Sequence, residues 1–176
     1  MGLLNRYDSK MHGNYWNAIF KYGFLVGLGL VLVVLFRHWL SMPLSQPVTY
    51  AENIALLVFM FIVVFLYRKS LKEKNITFKE AYIVGFGVGI VSSIMYGMFL
   101  YVFSLYIDTE FQQRCFEIQR ELKSNAHLND EQVRTMATSS SIAFSGILLS
   151  SVMSILWAMV VGIALRNEQA PLKIKK

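Results

Sequence analysis

An all-α, polytopic membrane fold is predicted here: four transmembrane helices, with an amphipathic external helix between spans three and four. Three observations predict it. The stretches Ala81 to Ile107 and Ala137 to Leu165 contain no Asp, Glu, Lys, Arg or His, and each exceeds the roughly 20 residues that carry a helix across about 30 Å of hydrocarbon. Nearly all charge lies between or outside four apolar runs, whereas a soluble helix alternates an apolar stripe with polar positions. The run from Leu28 to Phe36 is apolar all round, which requires lipid or a core larger than 176 residues can build. A hydrophobic content of 55% and a mean hydropathy of +0.46 agree without deciding the matter. The chain reads as a single membrane domain over 1–176, with spans at about 16–37, 48–67, 78–107 and 134–166 and an external helical segment at about 108–133.

In the first span, Tyr15 and Trp16 at the entry and Trp39 beyond the exit are placed as interfacial anchors. Lys21 is close enough to the entry to snorkel. No small-x-small site follows before Arg37, so the helix is expected to stay as a signal anchor. Arg6 stands where a myristoylation motif requires Ser or Thr. Ser41 to Pro47 carries two of the three prolines, each of which removes a donor and restricts its predecessor, so a short external turn is expected. The second span, Asn53 to Tyr67 and extendable towards Val48, ends at Arg68 and Lys69.

Thr77 and Glu80 are spaced as a capping box, which starts the third helix at Phe78. It runs to Tyr106 or Ile107, after which either Asp108 or Thr109 is placed to cap a new helix. That helix, about Glu110 to Ser124, gathers Phe111, Cys115, Ile118 and Leu122 on one face among charged residues, the pattern of a helix lying on a membrane surface or a partner. Cys115 is the sole cysteine, so it forms neither an internal disulfide nor a zinc site and reads as a small apolar residue. Asn129 and Gln132 repeat the capping-box spacing. The last helix is therefore expected to start outside the membrane and continue unbroken through Thr138 to Ser141. The short basic tail after Arg166 is expected to be disordered.

Orientation follows from Lys and Arg. The amino-terminal flank, the 68–79 connection and the tail hold 12 of the 17 basic residues, and the opposite side holds 7 of the 11 acidic ones. Both termini are therefore expected in the cytoplasm. The net charge of +6 is explained by anchoring to an anionic leaflet, without nucleic acid.

Small residues recur every four positions in the last two spans: Gly85, Gly89, Ser93 and Gly97 in the third, and Gly146, Ser150, Ser154, Ala158 and Gly162 in the fourth. Residues four apart share a helical face. Because lipid supplies no hydrophobic drive for helix pairing, close approach through small residues replaces it, so spans three and four are expected to pack antiparallel along these grooves. Gly23 and Gly27 predict a lesser contact for the first span.

Chemistry inside a bilayer leaves ionisable groups there, and Lys21 is the one such group near a span's interior on this reading. His12, His38 and His127 sit in three separate flanks without metal-ligand spacing. Gly85, Gly87 and Gly89 lie inside an uncharged span with no preceding strand, so they are a packing feature and not a nucleotide loop. Ser139, Ser140 and Ser141 have no acid or histidine beside them. No catalytic residue, no metal and no cofactor is expected, and the protein is expected not to be an enzyme.

The entry Thr77-Phe78-Lys79-Glu80-Ala81 followed by Gly85, the exit Ile107-Asp108-Thr109-Glu110-Phe111, and the charged external helix between spans three and four resemble a family of small four-span bacterial membrane proteins catalogued as a domain of unknown function. In that family proline commonly stands where this chain has Thr109. Its members are often encoded near a polyprenol-phosphate glycosyltransferase. The resemblance implies a role beside lipid-linked sugar metabolism, and the residues themselves, with no catalytic set, a basic cytoplasmic face and small-residue grooves, fit a non-enzymatic accessory or scaffold subunit of the bacterial inner membrane that anchors or stabilises such a transferase. Arg68, Lys69, Lys72, Lys74 and Lys79 would then face the partner or lipid headgroups. The alternative is a small transporter or lipid-flipping protein acting as an oligomer. Expected partners are membrane lipids and an integral or peripheral membrane protein.

Overall fold

The computed structural model describes residues 2–42, 46–71, 76–122 and 125–166. Its helices are α1 (Gly2–Trp39), α2 (Gln46–Ser70), α3 (Phe78–Val102), α4 (Phe111–Glu121), α5 (Asp130–Met136) and α6 (Ser139–Leu165), with one π-helical turn, Phe103–Ile107, continuing α3. No strand occurs among the described residues. Four segments are long and apolar enough to cross a membrane: Tyr15–Trp39, Ala51–Ser70, Phe78–Ile107 and Ser139–Leu165. The protein is thus a four-span helical membrane protein. α1 begins and α6 ends on one side, here the near side; the α1–α2 turn, α4 and α5 lie on the far side.

α3 is the central post. Ala81, Val84, Gly85, Val88, Gly89, Ser92, Ser93, Gly97 and Leu100 are all buried on it. α6 runs antiparallel against it, with Ala158 opposite Gly85, Ser154 opposite Gly89, and Ile147 with the Ala143 carbonyl opposite Gly97. A methyl group added at Gly89 or Gly97 would overlap those neighbours. α1 packs parallel to α3 on another side, where Ile19 meets Gly87, Val91 meets Gly23 and Met95 meets Gly27. α2 completes the bundle by sending Met60 towards Gly85. The hydroxyls in this core are satisfied within their own helices: Ser92 and Ser93 donate to the Gly89 carbonyl at 2.9 and 2.7 Å, and Ser154 donates to the Ser150 carbonyl at 2.7 Å. A small polar side chain therefore occupies a tight contact without leaving an unpaired group in hydrocarbon.

Thr77 and Glu80 form the expected capping box, with the Thr77 N–H donating to Glu80 Oε2 at 2.9 Å and the Glu80 N–H donating to Thr77 Oγ1 at 3.3 Å. Two other expectations need correcting. Neither Asp108 nor Thr109 caps α4: Glu110 holds the cap position and makes no side-chain capping bond, because the Asp108 carboxylate is engaged by Arg114 and His38. The last helix is not continuous either. It breaks at Ala137 and Thr138, and α6 starts afresh with Thr138 as its cap, accepting from the Ser141 N–H. The hydroxyls of Thr138 and Ser141 both donate to the Thr135 carbonyl, at 3.0 and 2.7 Å, so side chains satisfy a turn that the helical ladder would otherwise close. The expected tail after Arg166, like Lys72 and Lys74, lies outside the described residues.

Gly89→Val is expected to cost about 1–3 kcal/mol through overpacking, read as a lower unfolding temperature in detergent micelles. Val152→Ala, on the lipid-facing side of α6, is expected to shift stability by less than about 0.5 kcal/mol.

Candidate functional site

The small-residue ladders do not behave as one unit. Ser154, Ala158 and Gly162 are buried, with Gly162 facing Phe78, whereas Gly146 and Ser150 are half-buried and line a cavity, Gly146 while also holding Leu100 of α3 close enough that an added methyl group would overlap it. The basic residues of the near side separate as well. Arg68 is half-buried and donates to the Leu165 carbonyl at 3.3 Å, which places a cation at the carboxyl end of α6 as its dipole favours. Lys69 is exposed with Nζ 4.7 Å from the centre of the Phe65 ring, and Lys79 is exposed. On α4, Phe111 is buried and Cys115 half-buried, while Ile118 and Leu122 remain 36% and 39% exposed. The amino-terminal half of the apolar face is thus spent on the bundle.

The cavity exposes a group that the sequence reading passed over. Lys21 is not the one ionisable residue inside a span. Glu52 sits six residues into α2, about 9 Å below its far end, and Arg37 reaches to it from α1. Arg37 Nη1 donates to Glu52 Oε1 at 2.6 Å, and the Tyr96 hydroxyl donates to Glu52 Oε2 at 3.0 Å. The two charged side chains are 10% and 16% exposed. Three helices are therefore tied at one carboxylate. The available signal was span length: extending the second helix back towards Val48 already places Glu52 within it. Its partners lie 15 and 44 residues away in sequence, and no local pattern pairs them.

The cavity beside this cluster measures about 190 Å³ and lies among α1, α2, α3 and α6. Arg37, Glu52, Asn53, Tyr96 and Ser150 provide its polar lining, while Leu30, Leu56 and Leu100 form apolar wall. α4 covers it from the far side through Phe111 and Cys115. That cover is fastened at two places. Gln112 Nε2 donates to Ser139 Oγ at 2.9 Å, and Ser104 Oγ donates to the same oxygen at 2.8 Å, joining α4, the π turn and α6. Asp108 pairs with Arg114 and, at 3.3 Å, with His38 Nδ1, which links the π turn to α1. The His38 ring stands edge-on to Phe103, with centroids 5.3 Å apart. Arg37, His38, Asp108, Phe111 and Arg114 border a second cavity of about 340 Å³, so Arg37 and Phe111 stand between the two.

A buried ion pair is expensive in a bilayer unless it is neutralised and hydrogen-bonded. Here the formal charges of Arg37 and Glu52 cancel, and Tyr96 adds the third hydrogen-bonding partner. Burial pushes the Cys115 thiol up to about 11, with Arg114 and Arg37 opposing it more weakly, so the group is protonated and unreactive at neutral pH. Among the described residues no set of three His, Cys, Asp or Glu side chains is arranged to hold a metal ion.

A family model described as "Protein of unknown function (DUF4199)" matches residues 21–167. No curated protein and no solved structure matches the chain.

Arg37→Leu or Glu52→Leu alone is expected to cost about 3–5 kcal/mol, because each strands a buried charge, while the double substitution costs less than either; a double-mutant cycle in detergent measures this. Alkylation of Cys115 in the folded protein is expected to keep accelerating with pH towards about 11, since the raised value keeps the thiolate scarce beyond the ordinary 9.0. A rate that levels off near 9.0 would show a solvated thiol.

Proposed function

The chain belongs to the DUF4199 family, and from that footing we propose that it is a non-enzymatic accessory or scaffold subunit of a membrane assembly. The observation that carries this reading is how the interior is used. The centre of the bundle is closed by side chains of neighbouring helices seated directly on glycine backbone, between α3 and α6 and between α3 and α1, and the one buried acid–base pair in the described spans is bonded to itself and to Tyr96. Both features serve to hold helices together. The outward surfaces remain for partners: lipid around α1, α2 and α6, and on the near side the exposed Lys69 and Lys79, which the sequence continues with Lys72 and Lys74.

The partner proposed is a polyprenol-phosphate glycosyltransferase of the bacterial inner membrane, on the strength of the family resemblance. The positive bias of the near side supports a cytoplasmic location for both termini, so the basic connection would meet a partner or anionic headgroups at the cytoplasmic leaflet. A second reading, a small transporter or lipid-flipping protein acting as an oligomer, draws support from the cavity beside Arg37 and Glu52.

Affinity capture of the full chain at native expression in mild detergent is expected to retain a transferase. Recovery of the chain alone, together with substrate flux in reconstituted vesicles, would favour the second reading. A fluorescent protein fused to the carboxyl terminus is expected to fluoresce, and alkaline phosphatase fused there to stay inactive; the opposite pair of results would reverse the orientation.

A further inference from the structure

We infer that the cavity between α2 and α6 is a binding site for a neutral lipid with a hydroxyl headgroup, its hydroxyl seated on the Arg37–Glu52–Tyr96 cluster. The access route fixes the kind of molecule. Phe111 and Cys115 of α4 cover the cavity on the far side, and α4 is fastened by the Gln112–Ser139 bond and the Asp108 pairs. Leu30, Leu56 and Leu100, which line it from within, are buried, whereas Leu149 lines it and is 53% exposed on the outside of the bundle. The open wall therefore faces hydrocarbon, and a molecule entering there is an amphiphile from the bilayer and not a solute from water.

Charge selects the headgroup. Arg37 and Glu52 sum to zero, so an anionic headgroup meets Glu52 and a cationic one meets Arg37; either must break a buried pair to bind. A hydroxyl avoids that cost. A carboxylate offers about four lone-pair sites and a guanidinium five N–H donors, more than the bonds to Arg37 and Tyr96 described above consume. A hydroxyl donates to Glu52 and accepts from Arg37 in the same pose, with the Ser150 hydroxyl and the Asn53 amide in the same lining. The alkyl chain then leaves past Leu149 into the bilayer.

The experiment uses the full chain in nanodiscs and three probes that share one alkyl chain with a diazirine near the headgroup: hexadecanol, hexadecanoic acid and hexadecyl phosphate. Photolysis with hexadecanol is expected to label the α2 turn around Glu52 to Leu56 and the α6 turn around Gly146 to Ser150. Labelling there by the two anionic probes is expected to be weaker by about tenfold or more. Excess unlabelled hexadecanol is expected to suppress the signal, and Ser150→Leu, which fills the cavity, to remove it while the unfolding temperature is retained. Labelling spread over lipid-facing positions such as Val152 and Ile163 without regard to headgroup, or stronger labelling by an anionic probe, would overturn the proposal. If Ser150→Leu fails to fold, competition in the unaltered chain decides alone. Since no partner is present, the outcome is independent of whether a transferase is captured.

Discussion

The contact that everything else depends on is the approach of α3 to α6 through nearly bare backbone. In water, two such helices would be driven together by their apolar surfaces; in lipid that drive is missing, and dispersion across a close interface has to replace it. Gly85 against Ala158 and Gly89 against Ser154 achieve that closeness. With α6 pressed on one side of α3 and α1 on another at Gly23 and Gly27, α2 is left to complete the outside of the bundle.

The geometry of the far end follows from that arrangement. α3 continues as a π turn that buries Phe103 and Ser104 against α1 and the start of α6, and the chain folds back so that Phe111 meets Phe103 edge-on at 5.3 Å. α4 thereby becomes a cover, fixed by polar bonds rather than by its apolar stripe alone. Beneath it the α6 ladder changes role. Ser154, Ala158 and Gly162 meet α3 along a sealed face; Gly146 also holds Leu100 of α3 close, and together with Ser150 it borders the space that Arg37, Glu52 and Tyr96 line. One periodic feature thus produces both a sealed interface and a polar cavity.

Much of the candidate site was legible in the residues and much was not, for definite reasons. The uncharged runs, the Thr77–Glu80 box and the glycine spacing are local, so period and capping chemistry expose them. The break at Ala137 and Thr138 was missed because the serine and threonine run reads equally well as helix; hydroxyl bonds to the Thr135 carbonyl tip the balance. Glu52 was missed because a charge near a span's edge is indistinguishable from a flanking residue until its depth is known.

By itself the sequence determined that this is a four-span helical membrane protein, because the cost of burying charge and unpaired backbone in hydrocarbon is paid residue by residue along the chain. It also determined which faces can touch, since small side chains four apart define a groove whatever fills it. The tertiary structure alone decided which groove rungs are sealed and which also border a cavity. It alone decided that Arg37, Glu52 and Tyr96 converge, because that meeting is set by the relative heights of three helices, a quantity no local pattern of residues records.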